Sequence, residues 1–159
     1  MKKFELTSEF VTNISGTKLF RIKALVEFGD VKAGDLGGYI EKEENLDHDG
    51  DAWVYGDAQV SGDAWVYGDA RVSGDARVSG DADYAYAHGF GSINRTTTFF
   101  RLKDGGVGVR CGCFYGTLQE FRDKVRETHV ETKKAKEYLM LADLMELRFK
   151  EENEDGKNN

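Results

Sequence analysis

Residues 50–84 read GDAWVYGDAQVSGDAWVYGDARVSGDARVSGDADY, in which Gly-Asp-Ala returns six times at a spacing of six residues. Val54, Val60, Val66, Val72 and Val78 hold one phase, continued by Tyr84 and Phe90. Ala52, Ala58, Ala64, Ala70, Ala76 and Ala82 hold the position two before. A period of six is neither helical nor simple alternation. Residues two apart in a strand face the same way, so Ala and Val share a face and Gly-Asp turns the chain. Each unit is then one short strand and one corner. One unit cannot bury its own valine, whereas stacked units can.

Composition bounds the rest. The chain has 159 residues, 32% charged and 40% hydrophobic, with a net charge of −7. That balance fits a globular protein of one domain or two small subdomains. The acidity argues against direct nucleic-acid binding, which needs clustered Lys and Arg, although an acidic surface can imitate nucleic acid toward a basic protein. MKKFELTSEF lacks the apolar stretch of a signal peptide, and no apolar run is long enough to span a membrane. The two cysteines, Cys111 and Cys113, have no histidine nearby and read as reduced thiols, not zinc ligands. Turns fall to Gly, Asn and Asp, because the chain has 19 glycines and no proline.

Residues 1–45 read as a β-rich lead-in and cap. Phe20, Ile22, Ala24 and Val26 lie on one face of a strand, and Asn13-Ile14-Ser15-Gly16 supplies the turn of a hairpin. Residues 46–92 carry the repeat, and 93–150 change character. There, Thr96–Lys103 and Val107–Phe114 flank Asp104-Gly105, a two-residue hairpin pattern that sets Leu102 opposite Val107 and Phe100 opposite Val109. Thr117-Leu118-Gln119-Glu120 is a capping box opening a helix with Leu118, Phe121 and Val125 on its buried stripe. A second helix spans about residues 132–149, with a stripe of Ala135, Tyr138, Ala142, Met145 and Phe149 widened by Leu139, Leu141, Leu144 and Leu147. Residues 151–159 read as a disordered tail.

The hexads resemble the hexapeptide repeat of left-handed β-helices, in which three hexads close one triangular coil. The resemblance implies a mainly β fold: a short left-handed parallel β-helix with an N-terminal β-hairpin and a C-terminal β-hairpin plus two α-helices. The combination of FGDVKAGDLGGYIE, the GDA hexads, and TTFFR…CGCFYGT before a helix resembles small bacteriophage and prophage proteins, often labelled hexapeptide-repeat or polymer-forming. That likeness implies a phage accessory protein in the cytoplasm of the infected bacterium, built as a homo-oligomer with a trimer favoured.

With three hexads per coil, Trp53 stacks on Arg71, Gln59 on Arg77 and Trp65 on Asp83. Stacked repeat aspartates either hold cations or cap their turns. Trp53, Tyr55, Trp65 and Tyr67 lie in the outward phase, where subunit contact or a stacking platform completed by Arg71 or Arg77 explains them. Phe99, Arg101 and Arg110 share the outer hairpin face beside Gly108 and Gly112, an arrangement suited to phosphate. These nine residues are the candidate ligand site. His48, His88 and His129 show no persuasive carboxylate spacing and no nucleophile motif appears, so no enzyme, cofactor or metal is expected. The leading functional expectation is a phage counter-defence protein that sequesters a nucleotide-type immune signal in pockets of the oligomer. The alternatives are an inhibitor that binds a host defence protein directly, as an anti-CRISPR or acidic nucleic-acid mimic would, and a structural polymer-forming module.

Overall fold

Asn13 fixes the first hairpin: its Oδ1 accepts the amides of Ser15 and Thr17, both at 3.0 Å. This turn joins β1 (Phe4–Thr12) to β2 (Lys18–Ala24) in antiparallel register, as the sequence predicts. The computed structural model describes residues 2–91 and 95–150. Strand β3 (Leu36–Ile40) pairs antiparallel with β2 and then runs parallel to the repeat. The repeat supplies four strands of two residues each: β4 (Trp53–Val54), β5 (Gln59–Val60), β6 (Arg71–Val72) and β7 (Arg77–Val78). They are followed by β8 (Tyr84–Phe90), β9 (Arg95–Arg101), β10 (Val107–Cys111) and β11 (Phe114–Thr117), then α1 (Leu118–His129) and α2 (Lys133–Arg148).

The expected left-handed parallel β-helix is not the fold. The strands sort into three separate sheets: five strands in the order β1-β2-β3-β5-β7, four in the order β11-β10-β9-β8, and β4 with β6 alone. The four-stranded sheet is antiparallel throughout, and β1, β2 and β3 meet antiparallel in the first. The physical reason lies in strand length. Two-residue strands offer too few ladder bonds to dictate a continuous solenoid, and the longer flanking strands impose their own pairing.

Part of the periodicity reading holds. Trp53 pairs with Arg71, Gln59 with Arg77 and Val60 with Val78 in parallel register. Val54, Val60, Val66, Val72 and Val78 are all buried, as are Ala52, Ala58, Ala64, Ala70 and Ala76. Burying each valine contributes roughly 1.5–3 kcal/mol. The corners recur too: Ala58, Ala64, Ala70 and Ala76 each donate an amide to the carbonyl three residues back, across a glycine at φ between 60° and 66°. Close approach fixes other glycines. A methyl on Gly38 would lie 2.6 Å from the Ala58 carbonyl oxygen and 2.7 Å from a Val54 methyl.

Two apolar cores result. The first gathers the Ala and Val rows with Phe4, Ile22, Ile40, Leu46, Trp53 and Phe100; the second joins Phe99 and Val109 to both helices. Strand β9 is their common wall, since Phe99 and Phe100 point to opposite sides and both are fully buried. Both helices form where expected, with Thr117 and Thr132 accepting N-terminal amides. Cys111 packs in the second core and Cys113 is exposed, both as free thiols.

The second hairpin is slipped by one residue from its expected register. Val107 faces Arg101, Gly108 faces Phe100 and Val109 faces Phe99. The loop is Lys103-Asp104-Gly105 with Gly105 at φ +90°, closed by Leu102 N–H to Gly106 O at 2.8 Å. A three-residue loop with its glycine left-handed replaces the two-residue turn. Contacts with the repeat help set it, for Leu102 bridges Ala76 and the Lys103 amide reaches Asp75 O. One residue of slip exchanges the two faces. Because β8 pairs with β9, the C-terminal sheet also begins at Tyr84, inside the segment read as repeat. The expected boundary at 92/93 and the tail at 151–159 fall outside the described residues.

Candidate functional site

Strands β5 and β7 point Val60 and Val78 inward and turn Gln59, Ser61, Arg77 and Ser79 the other way. The turn of the first hairpin hangs over this face, bringing Thr12, Asn13, Ile14 and Ser15 opposite it, and Lys103 closes one end. The cleft they enclose measures about 560 Å³, against about 360 Å³ for those beside Arg71 and Trp65. Among the described residues its lining holds two cations, hydroxyls and amides, and no carboxylate. Arg77 Nη1 donates to the Ala76 carbonyl at 2.9 Å. Neither Arg77 nor Lys103 forms an ion pair with a described residue. Asp83, which borders the cleft through Ser79, accepts from Ser79 Oγ and pairs with Arg101, both at 3.0 Å. Burial alone would raise the Asp83 carboxyl, but the Ser79 amide and the Arg101 guanidinium hold it below its ordinary value.

The other predicted residues disperse. Trp53 is not outward: it is 1% exposed, edge-on to Phe28 at 5.2 Å and Phe4 at 6.4 Å. The lead-in folds over that part of the repeat and seals it. Phe99 is buried against α1, meeting Phe121 at 6.1 Å, and the register slip places it on the opposite face of the sheet from Arg110, which now faces Thr98. Arg101 and Arg110 point to opposite sides of their sheet and do not form one anion site. Arg101 reaches Asp83 and the Phe149 carbonyl, whereas Arg110 reaches Ser73 Oγ at 3.1 Å on the repeat side.

Arg71, Arg110 and Tyr55 converge on Asp30, a residue that sequence reasoning missed. The Tyr55 hydroxyl donates to Asp30 Oδ1 at 2.7 Å, with Arg71 at 3.6 Å and Arg110 at 3.9 Å. Arg110 also covers the Tyr55 ring at 4.2 Å. Burial pushes the Tyr55 hydroxyl up, with Asp30 adding to it. Burial would raise Asp30 as well, but the Tyr55 hydroxyl and then Arg71 outweigh it and hold the carboxyl low. Asp30 offsets one of the two guanidinium charges in this constellation, and the Tyr55 hydroxyl adds none. The constellation ties the lead-in, the repeat and the C-terminal sheet together, and the Gly-Asp of FGDVKAGD was its only mark in the sequence.

Trp65 and Tyr67 do stay outside, 47% and 39% exposed. The repeat aspartates hold no cation cluster: among the described residues no group of three or more His, Cys, Asp or Glu suits a metal. His88 does have a carboxylate at hand, Asp69 at 4.0 Å, in a mixed-charge cleft with Asp51, Arg71 and Arg95. His48 lies 3.6 Å from Glu43. Neither proximity was legible from spacing. No described helix is long and apolar enough to cross a membrane.

No known family model matches this chain, and the search of curated proteins returned no match.

Proposed function

We propose that this chain is a non-catalytic binding protein that takes a small phosphate-bearing, nucleotide-type ligand in the cleft between Gln59, Arg77 and Lys103 and the hairpin turn at Asn13. The observation that carries the reading is the charge of that lining. Within a chain of net charge −7, this lining gathers two cations that have no ion pair with a described residue, and no described carboxylate lines it. Guanidinium, ammonium and hydroxyl donors converging on one cleft suit phosphate oxygens. The likeness to small phage proteins supplies the setting, a counter-defence protein in the cytoplasm of an infected bacterium that withholds a nucleotide immune signal.

The oligomer belongs to the same reading, through a different surface from Trp53. Met140, Leu144 and Leu147 stand 71%, 54% and 65% exposed at the spacing of a helical seam, on the far side of α2 from its buried row. Further copies of the chain cover this row in the homo-oligomer, for which a trimer remains the favoured order.

Thermal unfolding with a panel of cyclic dinucleotides, ADP-ribose derivatives and pyrophosphate tests the ligand. A ligand at one hundred times its Kd stabilises the folded state by about 2.7 kcal/mol, which raises the midpoint by several degrees. Arg77→Glu with Lys103→Glu abolishes that rise. No shift with any phosphate compound, or an undiminished shift in the double variant, refutes the assignment.

A further inference from the structure

We propose that the Trp65 face is a docking site for a cationic side chain, Arg or Lys, on a basic segment of a protein partner. The indole is held in place from several sides. Its backbone N–H donates to Asp81 Oδ1 at 3.0 Å, and its carbonyl accepts the Tyr84 hydroxyl. The ring stacks on Tyr67 at 4.5 Å and 26°. Tyr67 is in turn buttressed edge-on by Tyr84 and Tyr86, both at 77°. Three tyrosines and two hydrogen bonds thus hold a tryptophan that remains 47% exposed. An indole free only to cover itself would not need such support.

What lies in front of the ring decides the partner's chemistry. Trp65 lines a shallow cleft of about 360 Å³ with Glu43, Glu44, Leu46, Asp47 and His48. Glu43 is engaged by Lys2 at 3.3 Å and by His48. Glu44 has no ion pair with a described residue, and the Asp47 carboxylate accepts the Asp49 amide and acts at longer range on the Lys3 ammonium, without a direct ion pair to any described residue. Available carboxylates beside an aromatic face attract an organic cation through charge and ring quadrupole together. The same carboxylates repel phosphate, so this site does not extend the Arg77 cleft. Its openness fits a side chain carried on a polypeptide, which approaches from outside, better than a small molecule that must be enclosed.

The two tryptophans make the test direct. Trp53 is 1% exposed, so acrylamide quenching of the folded protein reports on Trp65. The protein is titrated at low ionic strength with N-acetylated tetra-arginine amide, and with tetra-glutamate as control. The arginine peptide is expected to shield Trp65, at least halving the quenching constant, and the glutamate peptide to leave it unchanged. Glu44→Gln with Asp47→Asn is expected to weaken the peptide roughly fivefold, since each exposed pair contributes a fraction of a kcal/mol. Glu127→Gln with Glu131→Gln, remote on the helical side, is expected to leave it unaltered. No shielding, or equal loss in both double variants, overturns the proposal, the second outcome leaving only attraction by overall charge. Shielding produced by protein concentration alone, with a matching rise in sedimentation mass, overturns it in favour of a second copy.

Discussion

Replacing Lys3 should change how stability depends on pH, and by a calculable amount. The ammonium is buried beneath the first hairpin, donating to Ala52 O at 2.7 Å and Gly50 O at 3.2 Å and facing the Phe28 ring at 4.7 Å. Burial lowers its pKa from 10.5 to about 8, although Asp47, Asp51 and Asp49 pull the other way. Between those values the unfolded chain carries the proton and the folded one does not. Stability therefore rises with pH across the window, and the penalty for burying the charge is present in full only below it. From pH 8 to 9.5 this single group should add about 1.5 kcal/mol to the stability of the native protein. Lys3→Met lacks that increment, so its stability relative to the native protein falls by the same amount across the window. Urea unfolding followed by fluorescence in a Trp65→Phe background makes Trp53, next to Ala52, the only reporter. The window stops at pH 9.5 because Tyr55, Tyr84 and Tyr138 all have raised pKa values and oppose the trend once unfolded tyrosines ionise. Parallel pH profiles for the native protein and Lys3→Met would refute the assignment.

Two further outcomes test the architecture. Leu144→Glu should lower the sedimentation mass while leaving the thermal midpoint of the chain at low concentration nearly unchanged, because the residue touches no buried row. Gly38→Ala should destabilise by about 1–3 kcal/mol or more by urea titration, since its methyl must displace the Ala58 carbonyl backbone and not a flexible side chain; Gly34→Ala, with open space around it but φ +95°, should carry only the conformational penalty of about 1–3 kcal/mol.

How much could be read from the chain varied with how local the cause was. The Ala and Val rows, the Asn13 turn, the capping box at Thr117 and the buried stripe of α2 each depend on neighbours within a turn or two, and all were legible. Trp53 and Trp65 occupy the same place in identical hexapeptides, GDAWVY, yet one is sealed and the other bare. Nothing local distinguishes them; Phe4 and Phe28, far away in the chain, do. The hairpin register failed because Asp-Gly suits both a two-residue turn and the end of a three-residue loop. Contacts of Leu102 and Lys103 with Ala76 and Asp75 go with the second. The solenoid reading failed for a related reason, as repeats this short accept whichever longer strand lies beside them. Of the candidate site, the stacking of Gln59 on Arg77 was visible from the repeat spacing, while the overhanging turn at Asn13 and the role of Asp30 needed three dimensions.

The adjacent pair Phe99 and Phe100 bears on how this protein can be divided. Each ring completes a different core, and one peptide bond separates them. No cut through β9 yields two fragments that each keep both their own interior and a polar exterior: the repeat without Phe100 has a hole in its floor, and the helical half that keeps Phe100 presents it to water. The molecule should melt in a single transition although it has two interiors, and its halves cannot be exchanged separately between related chains. Transplanting the repeat means transplanting this strand as well.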